Sequence, residues 1–189
     1  MPRRGLDAET IVREAAALAD DRGTDAVTLK ALAAALGVKP PSLYAHVKGL
    51  EDIRTRMADM AYRDLEATLA PAAAGLARGE AVRAIGMAYR GWVKQHPGIY
   101  AIVEPGPAVD LPSASQVLNP ILAVLRGYGL GHDDSIHAAR ALRSAIHGFT
   151  TIEMAGGFGI DLEIDASFEW MLAALDQGIS AAAPGPASG

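Results

Sequence analysis

The stretch from residue 24 to residue 56 constrains the fold more than any other part of the chain. A short apolar-periodic segment, Leu29 to Leu36, stops at Gly37, and a second short segment follows almost at once. Ala33, Gly37 and Leu43 have the spacing of a helix-turn-helix. A small residue lets the two helices approach closely, glycine accepts the left-handed backbone of a tight turn, and leucine fills the core between the helices.

The second segment of this motif runs from about Pro40 to His46, and polar side chains lie on its solvent side. Recognition helices read the major groove from their N-terminal residues, where hydroxyl, imidazole and ammonium groups reach phosphates or base edges. We therefore expect DNA contacts from Thr28, Lys30, Lys39, Pro41, Ser42, Tyr44, His46 and Lys48. The alternatives are helix capping for Thr28 and ordinary surface packing or solvation for the others.

Residues 8–56 resemble the DNA-binding domain of TetR-family transcriptional regulators. The run LGVKPPSLYAHVKGLEDI is particularly similar to the operator-contacting stretch of that family, because its turn glycine, Leu-Tyr pair and His-Val-Lys run fall in register. Lys39 departs from the Ser or Thr that caps the recognition helix in many relatives, and we expect Pro40 and Pro41 to compensate because they have no N–H to satisfy. Ala45 departs from a bulky contact residue, so the resemblance does not imply the operator sequence.

A second, less specific resemblance links residues 80–181 to the ligand-binding and dimerisation domain of a TetR subgroup. The segments GWVKQHPGIYAIV at 91–103 and SAIHGFTTIEMAGG at 144–157 carry it. The two resemblances imply an all-α chain with an N-terminal three-helix helix-turn-helix domain and a larger C-terminal helical bundle. We place the DNA-binding domain at 1–49, the ligand-binding and dimerisation domain at 50–181, and a disordered tail at 182–189.

Apolar periodicity and capping residues predict where the helices lie. Asp7 is expected to cap a first helix that ends at Gly23, with Asp20 on its outer face. A long helix from Leu50 is expected to fade near residue 71 and to connect the two domains. Further helices are predicted at 80–95, 99–103, 113–128 with a kink at Pro120, 133–155 and 165–181. Loops are expected in the Pro-rich run 104–113 and at 156–159.

The C-terminal region contains most of the aromatic and methionine side chains that could line a pocket. Ligand pockets combine apolar walls with a few polar groups that orient the ligand. The candidates are Met87, Tyr89, Trp92, Tyr100, His147, Phe149, Met154 and Trp170. For each of them the alternative is packing in the core, and a histidine in the position of His147 is most often a hydrogen-bonded core residue. The apolar stripe of the last helix indicates a dimer interface at Phe168, Leu172 and Leu175.

The charge distribution is compatible with a DNA reader although the net charge is −5. Residues 1–56 contain nine Lys/Arg and eight Asp/Glu, whereas residues 57–189 contain eight and fourteen. The acidic excess therefore lies outside residues 1–56, which we call the DNA reader. Within the reader, Arg3 and Arg4 are expected to lie near the groove together with the lysines. The chain has no cysteine, which excludes a disulfide scaffold and fits a reducing cytoplasm. It has no signal-peptide pattern and no apolar run long enough for a membrane span.

No catalytic pattern is present in the sequence, since the nucleophile elbow, the zinc protease motif, the P-loop and the dinucleotide fingerprint are all missing. Asp133 and His137 share a helix face, but two ligands do not make a metal site, and acids at a helix N-terminus are explained by capping and the helix dipole. We therefore expect no cofactor, no metal and no enzymatic activity.

The function that the resemblance implies is that of a ligand-responsive regulator, most readily a repressor, which binds double-stranded operator DNA as a homodimer. The composition of the pocket candidates indicates a small, mainly apolar effector. Two alternatives stay open at this point. One is an activator, or a regulator without a ligand. The other is a helical small-molecule carrier or enzyme whose helix-turn-helix is vestigial.

Overall fold

The computed structural model describes residues 6–104 and 111–183, and these residues form helices and no strands. The helices in chain order are α1 (Ala8–Arg22), α2 (Leu29–Ala35), α3 (Pro40–Leu43), α4 (Leu50–Ala72), α5 (Arg78–Gln95), α6 (Pro97–Val103), α7 (Pro112–Gln116), α8 (Asn119–Arg126), α9 (His132–Met154) and α10 (Ile164–Ala182). A 3-10 turn, Thr24–Ala26, lies between α1 and α2. The predicted all-α class is confirmed.

One compact unit contains residues 6–64, 95–104 and 111–114. Asp7 caps α1 as predicted, because its Oδ1 accepts a hydrogen bond of 2.7 Å from the Thr10 amide. The helix ends at Gly23, whose φ of +82° favours glycine. Within this unit α1 packs against α2 and against α6. The core is made of fully buried apolar side chains from four helices, namely Ile11, Ala15, Leu32, Leu43, Ile53 and Met57.

The other compact unit contains residues 65–94 and 115–183. Helix α9 packs against both α8 and α10. Gly86 lets α5 approach α10 closely, since a Cβ at this position would lie 2.7 Å from the Leu172 methyl carbons. The Tyr128 hydroxyl donates to Asp176 Oδ1 at 2.6 Å and ties the end of α8 to α10. The fully buried side chains of this unit include Leu69, Ile85, Leu125, Leu142, Ile146 and Phe168.

The helix predicted at 113–128 is wrong, because two short helices, α7 and α8, replace one kinked helix. Pro120 lies in the first turn of α8, where a missing N–H has no consequence, rather than in a helix interior. The loop predicted at 104–113 is also partly wrong, since α7 begins at Pro112.

Some predictions concern parts of the chain for which the structure gives no description. Residues 105–110 of the expected loop, residues 184–189 of the expected tail, and both Arg3 and Arg4 lie outside the described residues. The tail was also predicted to begin too early, because α10 continues through Ala182. The predicted domain boundary at residue 50 stays a prediction. In the ranges 6–104 and 111–183 no helix is both long and apolar enough to span a bilayer.

Candidate nucleic-acid interface

The α2–turn–α3 segment has the geometry that the sequence predicts for a helix-turn-helix. Thr28 caps α2, because its Oγ1 accepts a hydrogen bond of 3.1 Å from the Ala31 amide. Gly37 has a φ of +67°, so the turn uses the left-handed backbone that favours glycine. Ala33 and Leu43 are buried between the helices. The turn at Gly37 and the buried side chains of Ala33 and Leu43 therefore pack α2 against α3.

Helix α3 ends at Leu43, so the prediction that it continues to His46 is wrong. The His46 amide bonds the Leu43 carbonyl three residues back at 2.9 Å, which tightens the chain into a turn after one helical turn. Lys39 stands at the N-cap without a side-chain cap, and prolines occupy the first helical positions as expected. The recognition segment is therefore one helical turn followed by a tight turn that carries Tyr44 and His46.

All the predicted DNA-contact side chains are exposed in the structure. Tyr44 in particular is 58% exposed, which is unusual for a large aromatic residue and leaves both ring and hydroxyl accessible. Leu43 and Val47 flank this exposed stretch and are buried, so they anchor the segment to the core. The exposed set is Thr28, Lys30, Lys39, Pro41, Ser42, Tyr44, His46 and Lys48. Their contact with DNA stays a prediction.

Sequence reasoning missed the residue that fixes the end of the reader. Asp52, in the first turn of α4, accepts a hydrogen bond of 2.9 Å from the Lys48 amide and another of 2.9 Å from Arg56 Nε. The backbone hydrogen bond from Lys48 is the main reason why the pKa of Asp52 lies below its usual value. The Lys48 backbone is thus held in place while its side chain stays exposed. The four-residue spacing of Lys48 and Asp52 was the available signal.

The predicted ligand-pocket residues are divided between the two compact units and differ in burial. Tyr89 and Trp92 are buried on α5, and Met87, His147 and Phe149 are half-buried in the same compact unit. Tyr100 lies on α6 in the other unit. Met154 and Trp170 are exposed, the latter at 75%. Trp170 and Met154 therefore do not line the interior of this chain. The candidates of this unit that fit an interior site are Met87, Tyr89, Trp92, His147 and Phe149.

A buried charged network that sequence reasoning missed lies beside these candidates. Arg90 on α5 makes two hydrogen bonds with Glu153, Nε to Oε2 at 2.6 Å and an Nη to Oε1 at 2.7 Å. It also reaches Asp165 Oδ1 at 2.7 Å, and its Cζ lies 4.8 Å from the centre of the Phe168 ring. The hydrogen bonds with Glu153 are the main reason why the pKa of Arg90 lies above its usual value, and the same bonds with Arg90 hold the pKa of Glu153 below its usual value. The network joins α5, α9 and α10.

The predicted dimer residues are mostly committed to the core of a single chain. Phe168 and Leu172 are buried, at 0% and 2% exposure, and Leu175 is half-buried. A partner subunit would therefore meet other side chains. The α9–α10 hairpin instead exposes a group of large apolar residues, which we call the hairpin patch: Ile152, Met154, Phe158, Ile160, Leu162 and Trp170. Gly157, Phe158, Ile160 and Leu162 also line a groove of about 360 Å³.

No group of three or more potential ligands that could hold a metal ion occurs within residues 6–104 and 111–183. Helix α9 has Gly131 at its N-cap, without a side-chain cap, and Asp133 and Asp134 lie in its first turn. The capping role expected for these acids is thus wrong, whereas their place beside the positive end of the helix dipole agrees with the prediction.

Two family models match the chain. "Bacterial regulatory proteins, tetR family" matches residues 11–53, and "Tetracyclin repressor-like, C-terminal domain" matches residues 82–175. The uncharacterized HTH-type transcriptional regulator Rv0681 of Mycobacterium tuberculosis is 37% identical over 179 residues, which is 92% of this chain and 82% of that protein. The uncharacterized HTH-type transcriptional regulator YobS of Bacillus subtilis is 30% identical over 181 residues, 94% of this chain and 95% of that one.

Solved structures share the fold. The crystal structure of a TetR variant from Acinetobacter baumannii in complex with minocycline is similar with a TM-score of 0.75 at 18% identity. The similarity covers 95% of this chain and 99% of that one. At this level of identity the likeness shows the fold alone.

Proposed function

Because this chain belongs to the TetR family of bacterial transcriptional regulators, we propose that it is a ligand-responsive repressor that binds a palindromic operator as a homodimer. The observation that carries the proposal is the exposed polar surface of a well-packed α2–turn–α3 pair. This surface suits insertion into a major groove, with Tyr44 and the lysines on phosphates or base edges. The protein would act in the cytoplasm, where bacterial DNA lies.

Two readers in a symmetric dimer would occupy successive major grooves. The half-sites would then be about one helical turn, or roughly 10 base pairs, apart. The hairpin patch supports the dimer, because exposed apolar clusters of this kind mark interaction surfaces. A two-fold axis would bring the same patch from both chains together. The proposed interface is therefore formed by the exposed side chains of α9, α10 and their connection, and not by Phe168 and Leu172.

The proposed effector is a mainly apolar compound of drug size. Tyr89 and Trp92 are buried on α5 and bring a hydroxyl and an indole N–H into an otherwise apolar interior. Arg90 is already neutralised by Glu153 and Asp165, so it is unsuited to hold a phosphate. The TetR relative that was crystallised with minocycline supports an aromatic ligand as the first probe. Ligand binding would favour a dimer whose readers no longer fit the operator, so that operator affinity falls.

DNA binding is tested with a duplex selected from a random library by the wild-type chain. Tyr44→Ala and Lys48→Ala should weaken binding, and Lys48→Ala should reduce the salt dependence of log affinity by about one unit, because one phosphate contact is lost. Arg83→Ala, which removes an exposed basic residue on α5, is the control. Wild-type affinity and salt dependence in both reader variants would remove these residues from the interface. A chain that selects no duplex at all would favour the carrier or enzyme alternative.

The dimer is tested by analytical ultracentrifugation at micromolar concentration. Ile160→Glu and Trp170→Glu place charges in the hairpin patch and should yield folded monomers that bind the selected duplex weakly. Leu76→Glu is the control, because Leu76 is an exposed apolar residue outside the patch. A monomeric wild-type protein, or patch variants that remain dimeric, would contradict the proposed interface.

The effector class is tested by release of the selected duplex. Minocycline and other aromatic compounds are compared with glucose 6-phosphate as an anionic control. We expect that one or more aromatic compounds release the duplex and that the anionic control does not. Trp92→Leu should change which compounds release the duplex and leave the affinity for DNA unchanged. Release by the anionic compound alone would refute the apolar effector. A reporter gene behind the selected duplex then separates repression from activation.

A further inference from the structure

One buried guanidinium joins the two ends of the connection between α9 and α10. Arg90 on α5 donates hydrogen bonds to Glu153, in the last turn of α9, and to Asp165, in the first turn of α10. Arg90 is buried and the Glu153 side chain is only 10% exposed, so little water competes for the hydrogen bonds between them. A side chain of a third helix therefore holds both ends of residues 154–164, which we call the connecting segment.

The connecting segment folds back onto the side chains around Arg90. The Gly156 amide donates to the Glu153 carbonyl at 2.9 Å, and Gly156 has a φ of +68°, so the chain turns sharply where α9 ends. This turn brings the ring of Phe158 to α9, where its centre lies 4.7 Å from that of Phe149. The Arg90 Cζ in turn lies 5.9 Å from the centre of the Phe149 ring. The segment is thus held by ring contacts as well as by charge.

The connecting segment supplies most of the hairpin patch. Four of its six residues lie in the segment, namely Met154, Phe158, Ile160 and Leu162. The groove of about 360 Å³ in the patch extends to Ser167 on α10, three residues before the exposed Trp170. Residues three apart share a helix face, so a hollow and a protruding indole lie side by side. A surface with both features can be self-complementary about a two-fold axis, which suits a second copy of this chain.

We propose that Arg90 is a clamp that holds the connecting segment in the shape that a second copy of the chain binds. The strength of the dimer is then set from α5, where Tyr89 and Trp92 lie within two residues of Arg90. Arg90 is a positioning residue in this device, because it is buried and acts through the connecting segment. The use of the clamp rests on the proposed homodimer, whereas the hold of Arg90 on the segment is measurable in a monomer.

The first experiment is hydrogen exchange of the full chain with Trp170→Glu, at a concentration at which it sediments as a monomer, so that no partner protects the connecting segment. Adding Arg90→Met should raise the exchange rates of peptides within the segment by about tenfold or more, because the hydrogen bonds at both of its ends are lost. Leu69→Ala is the matched control, because it destabilises the core of the same compact unit without touching the segment. Equal rates in Arg90→Met and Leu69→Ala would overturn the clamp.

The second experiment measures the dimer Kd by sedimentation equilibrium in chains that keep Trp170. Arg90→Met should raise this Kd by about tenfold or more, because the partner must first order a loosened segment. Leu69→Ala should leave the Kd near its wild-type value. Faster exchange with an unchanged Kd in Arg90→Met would refute the role of the clamp in the dimer. A wild type that never dimerises would refute the proposed homodimer and this use of the clamp, while exchange still decides the hold of Arg90 on the segment.

A milder variant covers the case in which Arg90→Met does not fold. The Asp165 side chain is 75% exposed, so Asp165→Ala spares the core but removes the carboxylate that ties the start of α10 to Arg90. Glu163→Ala is its control, because it removes an exposed carboxylate at the N-cap of α10 that makes no capping hydrogen bond. Asp165→Ala should raise both the exchange rates of the segment and the dimer Kd by about threefold, and Glu163→Ala should raise neither. Identical values in these two variants would overturn the proposal.

Discussion

Replacing Arg90 by methionine perturbs the most buried charged group of the described chain. The Arg90 side chain is 5% exposed and that of its main partner Glu153 is 10% exposed, so water cannot replace the lost hydrogen bonds. Methionine keeps an unbranched apolar stem in place of that of Arg90 but removes the charged guanidinium, whose Cζ lies 4.8 Å from the centre of the Phe168 ring. The substitution therefore isolates the electrostatic part of the network that joins α5, α9 and α10.

The expected cost follows from the exposure of the groups that remain. Removing one partner of a buried ion pair costs about 3–5 kcal/mol, because the other charge stays buried. Two features place Arg90→Met near the lower end of that range. Lys94 Nζ remains 2.6 Å from Glu153 Oε1, and Asp165 is 75% exposed and returns to water without penalty. We expect a loss of about 3 kcal/mol, which lowers the urea midpoint by roughly 1.5 M at a slope of about 2 kcal/mol/M.

Urea unfolding followed by circular dichroism, at one fixed protein concentration, measures this loss. Arg83→Met is the matched control, because its partner Glu169 and Arg83 itself are both about half exposed, and such surface pairs contribute about 0–1 kcal/mol. A double-mutant cycle with Glu153→Gln should show a coupling of more than about 1 kcal/mol. An Arg90→Met variant that loses no more stability than Arg83→Met would refute the reasoning from burial.

Two further predictions concern stability alone. The pKa of Glu153 lies below its ordinary value of 4.5, chiefly because of the Arg90 hydrogen bonds, so its stabilising contribution is complete above pH 4.5 and is lost as the pH falls through the lowered pKa. Glu153→Gln should therefore reduce the pH dependence of the free energy of unfolding below pH 4.5, as measured by urea titrations. An unchanged pH dependence would contradict the assignment. Gly91→Ala should stabilise the chain by about 0.5–1 kcal/mol, because a methyl group there meets open space within a helix; destabilisation in thermal unfolding would show a contact that the structure lacks.

The sequence by itself determined those features that depend on neighbours a few residues away. Ala33, Gly37 and Leu43 predict the helix-turn-helix because their spacing fixes a turn and its small core, and the structure has both. Asp7 and Thr28 cap their helices as predicted, since a cap is a bond to an amide three residues on. The exposure of the polar recognition segment follows from the same local pattern.

Only the tertiary structure decided which groups meet across the chain. Asp20 and Gly98 are 78 residues apart, and Arg90 and Glu153 are 63 apart. Apolar periodicity shows which face of a helix avoids water, but it does not show whether the same chain or a second copy covers that face. Phe168 and Leu172 were therefore predicted to contact a partner subunit, although both are buried in the core of their own chain. The exposed hairpin patch was not predicted. Asp20 was likewise predicted to face outward, but in the packed structure it accepts a hydrogen bond from the Ile99 amide of α6.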